Sequence, residues 1–145
     1  MGFAQFIARA ESAVESAAPE AARTALHQAV ALYRGDFMAA DRYEDWTVAI
    51  RERLATGYEW ALDWLAGDAA AAGDWLQSLH FAQTLVEHDA LNEGAHRRMM
   101  RAHIELGNAS LALRQFERCE ELLRTELGVA PAPETLALAR SLRGH

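Results

Sequence analysis

The sequence predicts an all-α fold built from helical hairpins that repeat along the chain. Gly73-Asp74 and Gly107-Asn108 interrupt two helical patterns thirty-four residues apart. Ala and Leu, which favour helix, are abundant, whereas only three Pro and nine Gly are present. No run of alternating β-branched residues indicates a strand.

The hairpin from Asn92 to Val129 is the clearest of these units. Asn92 is expected to cap its first helix, because its side chain can accept a hydrogen bond from a first-turn N–H. The apolar face of that helix is predicted at Ala95, Met99, Ala102 and Leu106, with Ile104 beside it. The second helix is predicted to end at Gly128 and to bury a stripe of Ala112, Phe116, Cys119, Leu123 and Leu127.

Thirty-four residues is the period of the tetratricopeptide repeat, a helix–turn–helix unit that buries its core by stacking on its neighbours. The shift pairs Leu62 with His96, Leu65 with Met99, Trp75 with Ala109, Ser78 with Ala112, Ala82 with Phe116 and Leu85 with Cys119. The consensus is incomplete, because the small residue expected late in the first helix is Ala66 in one copy and Met100 in the other. The predicted fold is a tetratricopeptide-like helical repeat of about seven antiparallel helices in a right-handed superhelix.

The remaining helices follow from apolar periodicity and from Gly and Pro positions. A first helix runs to about Ala17, and a second begins at Pro19 and ends before Arg34. An irregular connection follows, with Phe37 and Met38 expected in the core. A third helix begins near Asp45, a fourth covers Asp74 to about Glu87 with an apolar face of Leu76, Leu79, Ala82, Gln83 and Val86, and a last one opens at Pro133-Glu134.

The charge distribution argues against a nucleic-acid-binding surface. The net charge is −7, and the basic residues are all Arg.

The single Cys fits a reducing cytosol. No signal peptide or membrane span is predicted, so the expected location is cytoplasmic, with no membrane partner.

The side chains that could carry chemistry favour structural roles. The spacings of His80, His88, His96 and His103 match no zinc motif, and Cys119 occupies a small buried position of the repeat. The Trp residues are better explained as core and groove wall than as a ligand cage. No phosphate-binding loop or nucleophile motif is present, so neither an enzyme nor a cofactor or metal is expected.

One ordered set of motifs resembles a known family. The segments LYRGDFM, YEDW and RERL are followed by ALRQFERCEELLRTELGVAPAPET. Over roughly Ala21 to Leu142 this order resembles the bacterial transcriptional activator domain of the Streptomyces antibiotic regulatory protein family. The resemblance implies a tetratricopeptide-like domain beside a winged-helix DNA-binding domain. Residues 1–145 are therefore interpreted as a single activator domain, a fragment of a larger regulator that lacks its DNA-binding domain.

The partner-binding surface is predicted on the groove lined by the first helix of each repeat, at Trp60, Asp63, Arg97 and Arg101. Two guanidinium groups one turn apart suit a carboxylate or an acidic helix. The alternative is a solvated face with local pairing, such as Arg101 with Glu105.

Two functions remain open at the level of sequence. The first is a regulatory protein-interaction module whose partners are other domains of the same regulator, RNA polymerase or a second copy, while a separate domain binds DNA. The second is a general adaptor or small-molecule sensor unrelated to transcription.

Overall fold

The computed structural model describes residues 2–34 and 47–143, and these ranges are mainly helical. Its seven α-helices are α1 (Phe3–Glu15), α2 (Pro19–Leu32), α3 (Val48–Ala71), α4 (Trp75–His88), α5 (Glu93–Glu105), α6 (Ala109–Leu122) and α7 (Pro133–Arg143). No strand occurs within the described residues. The all-α, tetratricopeptide-like prediction is confirmed. The expected core positions of Phe37 and Met38 lie outside the described residues.

The contacts divide the chain into two compact units, Met1–Leu65 and Ala66–His145. In the first unit α1 packs on α2. Phe3, Tyr33 and Tyr58 join α1, the end of α2 and α3, with ring centroids 5.5 Å apart for Phe3 and Tyr33 and 4.1 Å apart for the stacked tyrosines. All three rings are buried, so they form an aromatic core for this unit.

The turns that close the two repeated hairpins have the same backbone design. Gly73 and Gly107 have φ angles of +76° and +83°, a region that L side chains rarely adopt. The next residue in each turn donates its N–H back across the turn, from Asp74 to the Ala69 carbonyl at 2.8 Å and from Asn108 to the His103 carbonyl at 2.7 Å. The thirty-four-residue spacing therefore repeats in hydrogen bonding as well as in sequence.

Burial follows the same register. Five of the six pairs that the shift predicts are buried in both members: Leu62 and His96, Leu65 and Met99, Ser78 and Ala112, Ala82 and Phe116, Leu85 and Cys119. In the sixth pair Trp75 is partly buried and Ala109 is exposed. Ala66 and Met100 are also both fully buried, although their side chains differ greatly in size. Ser78 is accommodated in the core because its hydroxyl donates to the Ala66 carbonyl at 2.9 Å.

The helix caps account for the helix starts in the second unit. The Asn92 side chain accepts from the Ala95 N–H at 3.1 Å, which confirms the predicted cap. Asp74 accepts from the Gln77 N–H at 3.2 Å, so it precedes α4 as its cap rather than forming its first residue. At the other end of the chain α1 stops at Glu15, two residues before the predicted end.

Two predicted apolar faces need correction. Leu76 is 70% exposed and Gln83 is exposed, whereas Ser78, Phe81 and Leu85 are buried, so the inner face of α4 is rotated from the predicted stripe. Leu127 is 55% exposed. It lies in a π turn, Leu123–Leu127. The wider i→i+5 hydrogen bonding of this turn changes the angle between successive side chains, so Leu127 no longer lies on the buried stripe, which continues from α6 as far as Leu123.

The second unit ends with α7 against the preceding hairpin. Met100, Ala112, Phe116 and Ala139 form a buried cluster, with partly buried Ile104, Leu113, Leu136, Leu138 and Leu142 packed around it. The predicted burial of Phe116 is confirmed, and its partners in this cluster come from α5, α6 and α7 rather than from the preceding repeat.

Candidate functional site

The four residues predicted to form a partner-binding groove lie on α3 and α5. Trp60 and Asp63 belong to the first unit, and Arg97 and Arg101 belong to the second. Trp60 and Asp63 are each partly buried, and Asp63 already interacts with another group. The two pairs have different surroundings.

Trp60 lines an open cavity of about 610 Å³ between α1 and α3, called here the α1–α3 groove. Its walls are two helical stripes, and ten residues line it: Phe3, Ala4, Ile7, Ala8 and Glu11 from α1, and Arg53, Leu54, Thr56, Gly57 and Trp60 from α3. The lining is mainly apolar, with a few polar groups, as in many binding clefts.

Gly57 sets the depth of this groove. A Cβ atom at this position would lie 3.0 Å from Cε1 of Phe3 and 3.6 Å from Cγ1 of Ile7. The absence of a side chain therefore lets α1 approach α3 closely, with the Phe3 ring against the α3 backbone. A larger residue here would push the two walls apart.

Arg97 is part of an internal hydrogen-bond network, called here the α5–α7 clasp, formed by Glu93, Arg97, Ala132 and Thr135. The Arg97 guanidinium donates to the Thr135 hydroxyl at 3.0 Å and to Glu93 Oε2 at 3.4 Å. Thr135 in turn donates to Glu93 Oε2, and the Ala132 N–H donates to the same oxygen at 2.7 Å.

The clasp places a carboxylate at the first turn of α7. Two of the three donors to Glu93 come from this turn and the residue before it, and such an acceptor also interacts favourably with the helix dipole. Arg97 Nη2 lies 3.7 Å from Glu134 Oε2, on the exposed side of the same turn. The main role of Arg97 is thus to hold α7 on α5.

Arg101 remains available at the surface. It is exposed, and it makes no ion pair with Glu105 or with any other residue in the described part of the chain. Arg98 packs its guanidinium over Gly67, where a Cβ would lie 3.0 Å from Nη2. Of the two guanidinium groups predicted to be free, Arg97 is engaged in the clasp, and Arg101 remains available at the surface.

A family model for the bacterial transcriptional activator domain matches residues 2–143. The chain belongs to the bacterial transcriptional activator domain family. No curated protein and no solved structure has significant similarity to it. The family is regulatory rather than enzymatic, and it identifies the chain as a domain of an activator-type transcription regulator.

His96 of this activator domain is a buried connector. Its Nε2–H donates to the Ala90 carbonyl at 2.8 Å, and its Nδ1 accepts from Gln115 Nε2 at 2.7 Å. Burial lowers the pKa of His96, and the neighbouring Arg118 charge acts in the same direction. A neutral imidazole thus links the α4–α5 connection to α6, which supports the structural role predicted for it.

Cys119 has the surroundings of an inert thiol. It is fully buried, and burial, followed by the Glu93 charge, raises the pKa of its thiol to about 11.

Among the described residues, no group of three or more His, Cys, Asp or Glu side chains could hold a metal ion. No helix within those residues is long and apolar enough to cross a membrane.

Sequence reasoning missed the α5–α7 clasp and most of the groove lining. No sequence signal connects Glu93 to Thr135, forty-two residues later. In the α1 wall of the groove, Phe3 and Ile7 recur at helical spacing, but Ala4, Ala8 and Glu11 beside them have the pattern of an ordinary solvated helix face.

Proposed function

We propose that this activator domain is the protein-contact module of a bacterial, cytoplasmic transcription regulator of the Streptomyces antibiotic regulatory protein type, in which a separate domain binds DNA. The family match over residues 2–143 carries the proposal. Its partners are other domains of the regulator, RNA polymerase or a second copy of the chain. An adaptor or sensor unrelated to transcription is disfavoured by the same match.

The surroundings of the basic side chains support a protein partner rather than DNA. Arg97 is engaged in the clasp, Arg98 covers Gly67, and the Arg143 guanidinium lies 5.3 Å from the centre of the Phe116 ring. Exposed carboxylates interrupt the other basic positions of α6, since Glu117, Glu120 and Glu121 alternate with Arg114 and Arg118. Such a mixed surface cannot neutralise a row of phosphates.

Two of the predicted groove residues remain suited to partner contact. Trp60 borders an apolar cavity and offers a large amphipathic ring, a residue type enriched at the centres of interfaces. Arg101 is an exposed guanidinium without a partner in the described chain, so it can bind a carboxylate of another protein. Arg97 contributes indirectly by fixing α7, and Asp63 is already engaged.

A tethering experiment tests the proposal. The chain is fused to an unrelated DNA-binding domain, and transcription is measured from a reporter promoter that carries its binding site, in a bacterial host that supplies RNA polymerase. The fusion should raise transcription at least about fivefold, a coupling of about 1 kcal/mol. Output equal to that of the DNA-binding domain alone, with the fusion present at equal abundance, would contradict the proposal.

A further inference from the structure

The lining of the α1–α3 groove has the helical periodicity and the length of a helix-binding site. On α1 its lining residues recur at intervals of three and four from Phe3 to Glu11, and on α3 they do so from Arg53 to Trp60. Eight residues of helix rise about 12 Å, so each wall is roughly two turns long. An amphipathic helix of two or more turns can place its apolar face between two such walls.

The rim of the groove carries opposite charges on its two walls. Glu11 lies on α1 and Arg53 lies on α3, and both are exposed. Neither forms an ion pair or hydrogen bond with another residue of the described chain. Apart from Thr56 the rest of the lining is apolar. Ile7, Leu54 and Trp60 are its partly exposed large side chains, whereas Phe3 is buried. An occupant that matches this pattern has an apolar face flanked by a basic group on one side and an acidic group on the other.

The second unit of the same chain shows how a helix fills an apolar helical surface. There α7 packs on α5 and α6 through Leu136, Ala139 and Leu142, which are spaced three residues apart. Its first turn and the residue before it are held by Glu93 and Arg97 of α5. An apolar face with a few charge-assisted bonds at its edge is thus a mode of helix docking that this chain already uses.

We propose that the α1–α3 groove binds an amphipathic helix of a partner protein. The helix presents large apolar side chains at i, i+3 or i+4, and i+7, with a basic side chain facing Glu11 and an acidic one facing Arg53. The inference rests on the proposed protein-contact function and specifies the chemistry of one partner.

The probe is a displayed library of amphipathic helical peptides about 14 residues long, selected on the full chain. Enriched peptides should share the apolar spacing and the flanking charges. Their affinity is then measured by fluorescence anisotropy against two variants at exposed positions of α1. Ala8→Arg places a long charged side chain in the groove and should weaken binding at least about tenfold, whereas Ser12→Arg, which adds the same charge outside the lining, should change it less than about twofold.

A charge reversal tests the assigned orientation. The double variant Glu11→Arg with Arg53→Glu should bind selected peptides more weakly and recover affinity for peptides whose two flanking charges are exchanged. Circular dichroism of every variant should match that of the original chain, because all four substituted positions are exposed.

Three outcomes would overturn the proposal: no enriched peptide, enriched peptides that bind Ala8→Arg as well as the original chain, or an apolar dye that enters the groove and is not displaced by selected peptides. The last would indicate a small-molecule site. In the tethered reporter, equal activation by the original chain and by Ala8→Arg would contradict groove use while leaving the proposed function intact. A silent original chain would contradict the function, while the peptide measurement still decides whether the groove binds a helix.

Discussion

Phe116 lies at the centre of the apolar cluster that joins α5, α6 and α7. Its side chain is 1% exposed, and it packs with Met100, Ala112 and Ala139. Phe116→Ala should lower the free energy of unfolding by about 3–5 kcal/mol, because it removes apolar contacts and leaves a cavity. Urea denaturation followed by circular dichroism measures this loss.

Cys119→Ala is the matched control for that measurement. Cys119 is equally buried one turn away on α6, but the substitution keeps a small apolar side chain. Its cost should be about 1 kcal/mol or less. A loss below about 0.5 kcal/mol for Phe116→Ala, the range of surface substitutions, would show that the inner face of α6 is assigned incorrectly.

The buried imidazole of His96 should make stability depend on pH. Burial is the first cause of the lowered pKa of His96, and burial also lowers the pKa of His103. The unfolded chain therefore binds protons at a higher pH than the folded chain does. The contribution of these groups is fully present above about pH 6.5, the unfolded value, and is lost as the pH falls through that value toward the folded pKa.

Chemical denaturation at a series of pH values checks this expectation. The free energy of unfolding should fall between pH 7 and pH 5, and the fall should be smaller in His96→Gln. His80→Gln, at an exposed position of α4, is the control for the substitution itself and should change the free energy of unfolding at pH 7 by less than about 0.5 kcal/mol. An unchanged slope in His96→Gln would refute the role assigned to this side chain.

At the scale of elements, the α5–α7 clasp should determine how firmly α7 is held. Glu93 accepts from Ala132, Thr135 and Arg97, so Glu93→Ala leaves these donors without their acceptor. Hydrogen bonds to a charged group contribute about 1.5–3 kcal/mol, so a loss of that order is expected. Hydrogen exchange should show reduced protection in α7, while α5 and α6 keep most of theirs.

Glu105→Ala supplies the control for the clasp. Glu105 ends the same helix and is exposed, and it has no bonding partner in the described chain. Its removal should leave the exchange of α7 amides unchanged. Equal protection of α7 in Glu93→Ala and in the original chain would show that apolar packing alone holds this helix.

The elements differ in how well their positions could be predicted from sequence. The repeat register was predictable because Gly73 and Gly107 mark equivalent left-handed turns. The burial of Ser78, Ala82 and Leu85 follows from the positions of these two glycines. Periodicity without the register predicts the wrong inner face for α4, since Leu76 is apolar but exposed. Local pattern cannot distinguish an exposed Leu from a core one.

Tertiary features were harder to predict for a different physical reason. Leu127 continues the α6 stripe in sequence, but the π turn changes the angle per residue and exposes it. The clasp depends on an approach between α5 and α7 that only the folded chain defines. Of the candidate site, Trp60 and Arg101 keep the surface positions that partner contact requires, whereas the position of Arg97 in the clasp could not be seen from its spacing.

At the scale of the whole molecule, the net charge favours contact with proteins over contact with DNA. The net charge is −7, and the acids outnumber the basic residues, twenty-one to fourteen. Affinity for duplex DNA comes largely from basic side chains that neutralise phosphates and release counterions. The isolated chain should therefore have no sequence-specific affinity for DNA, and its contribution to a regulator should come through protein surfaces such as the α1–α3 groove.

The most direct test is an anisotropy titration of the isolated chain with duplex DNA from promoters of the source genome at about 150 mM salt. We expect no sequence-specific binding and no dissociation constant below roughly 10⁻⁶ M, the tight end of the non-specific range. The same chain fused to an unrelated DNA-binding domain is the positive control and should bind the site of that domain. Sequence-specific binding by the isolated chain tighter than this limit would contradict the account and place a DNA-reading surface on the Arg residues of α5 and α6.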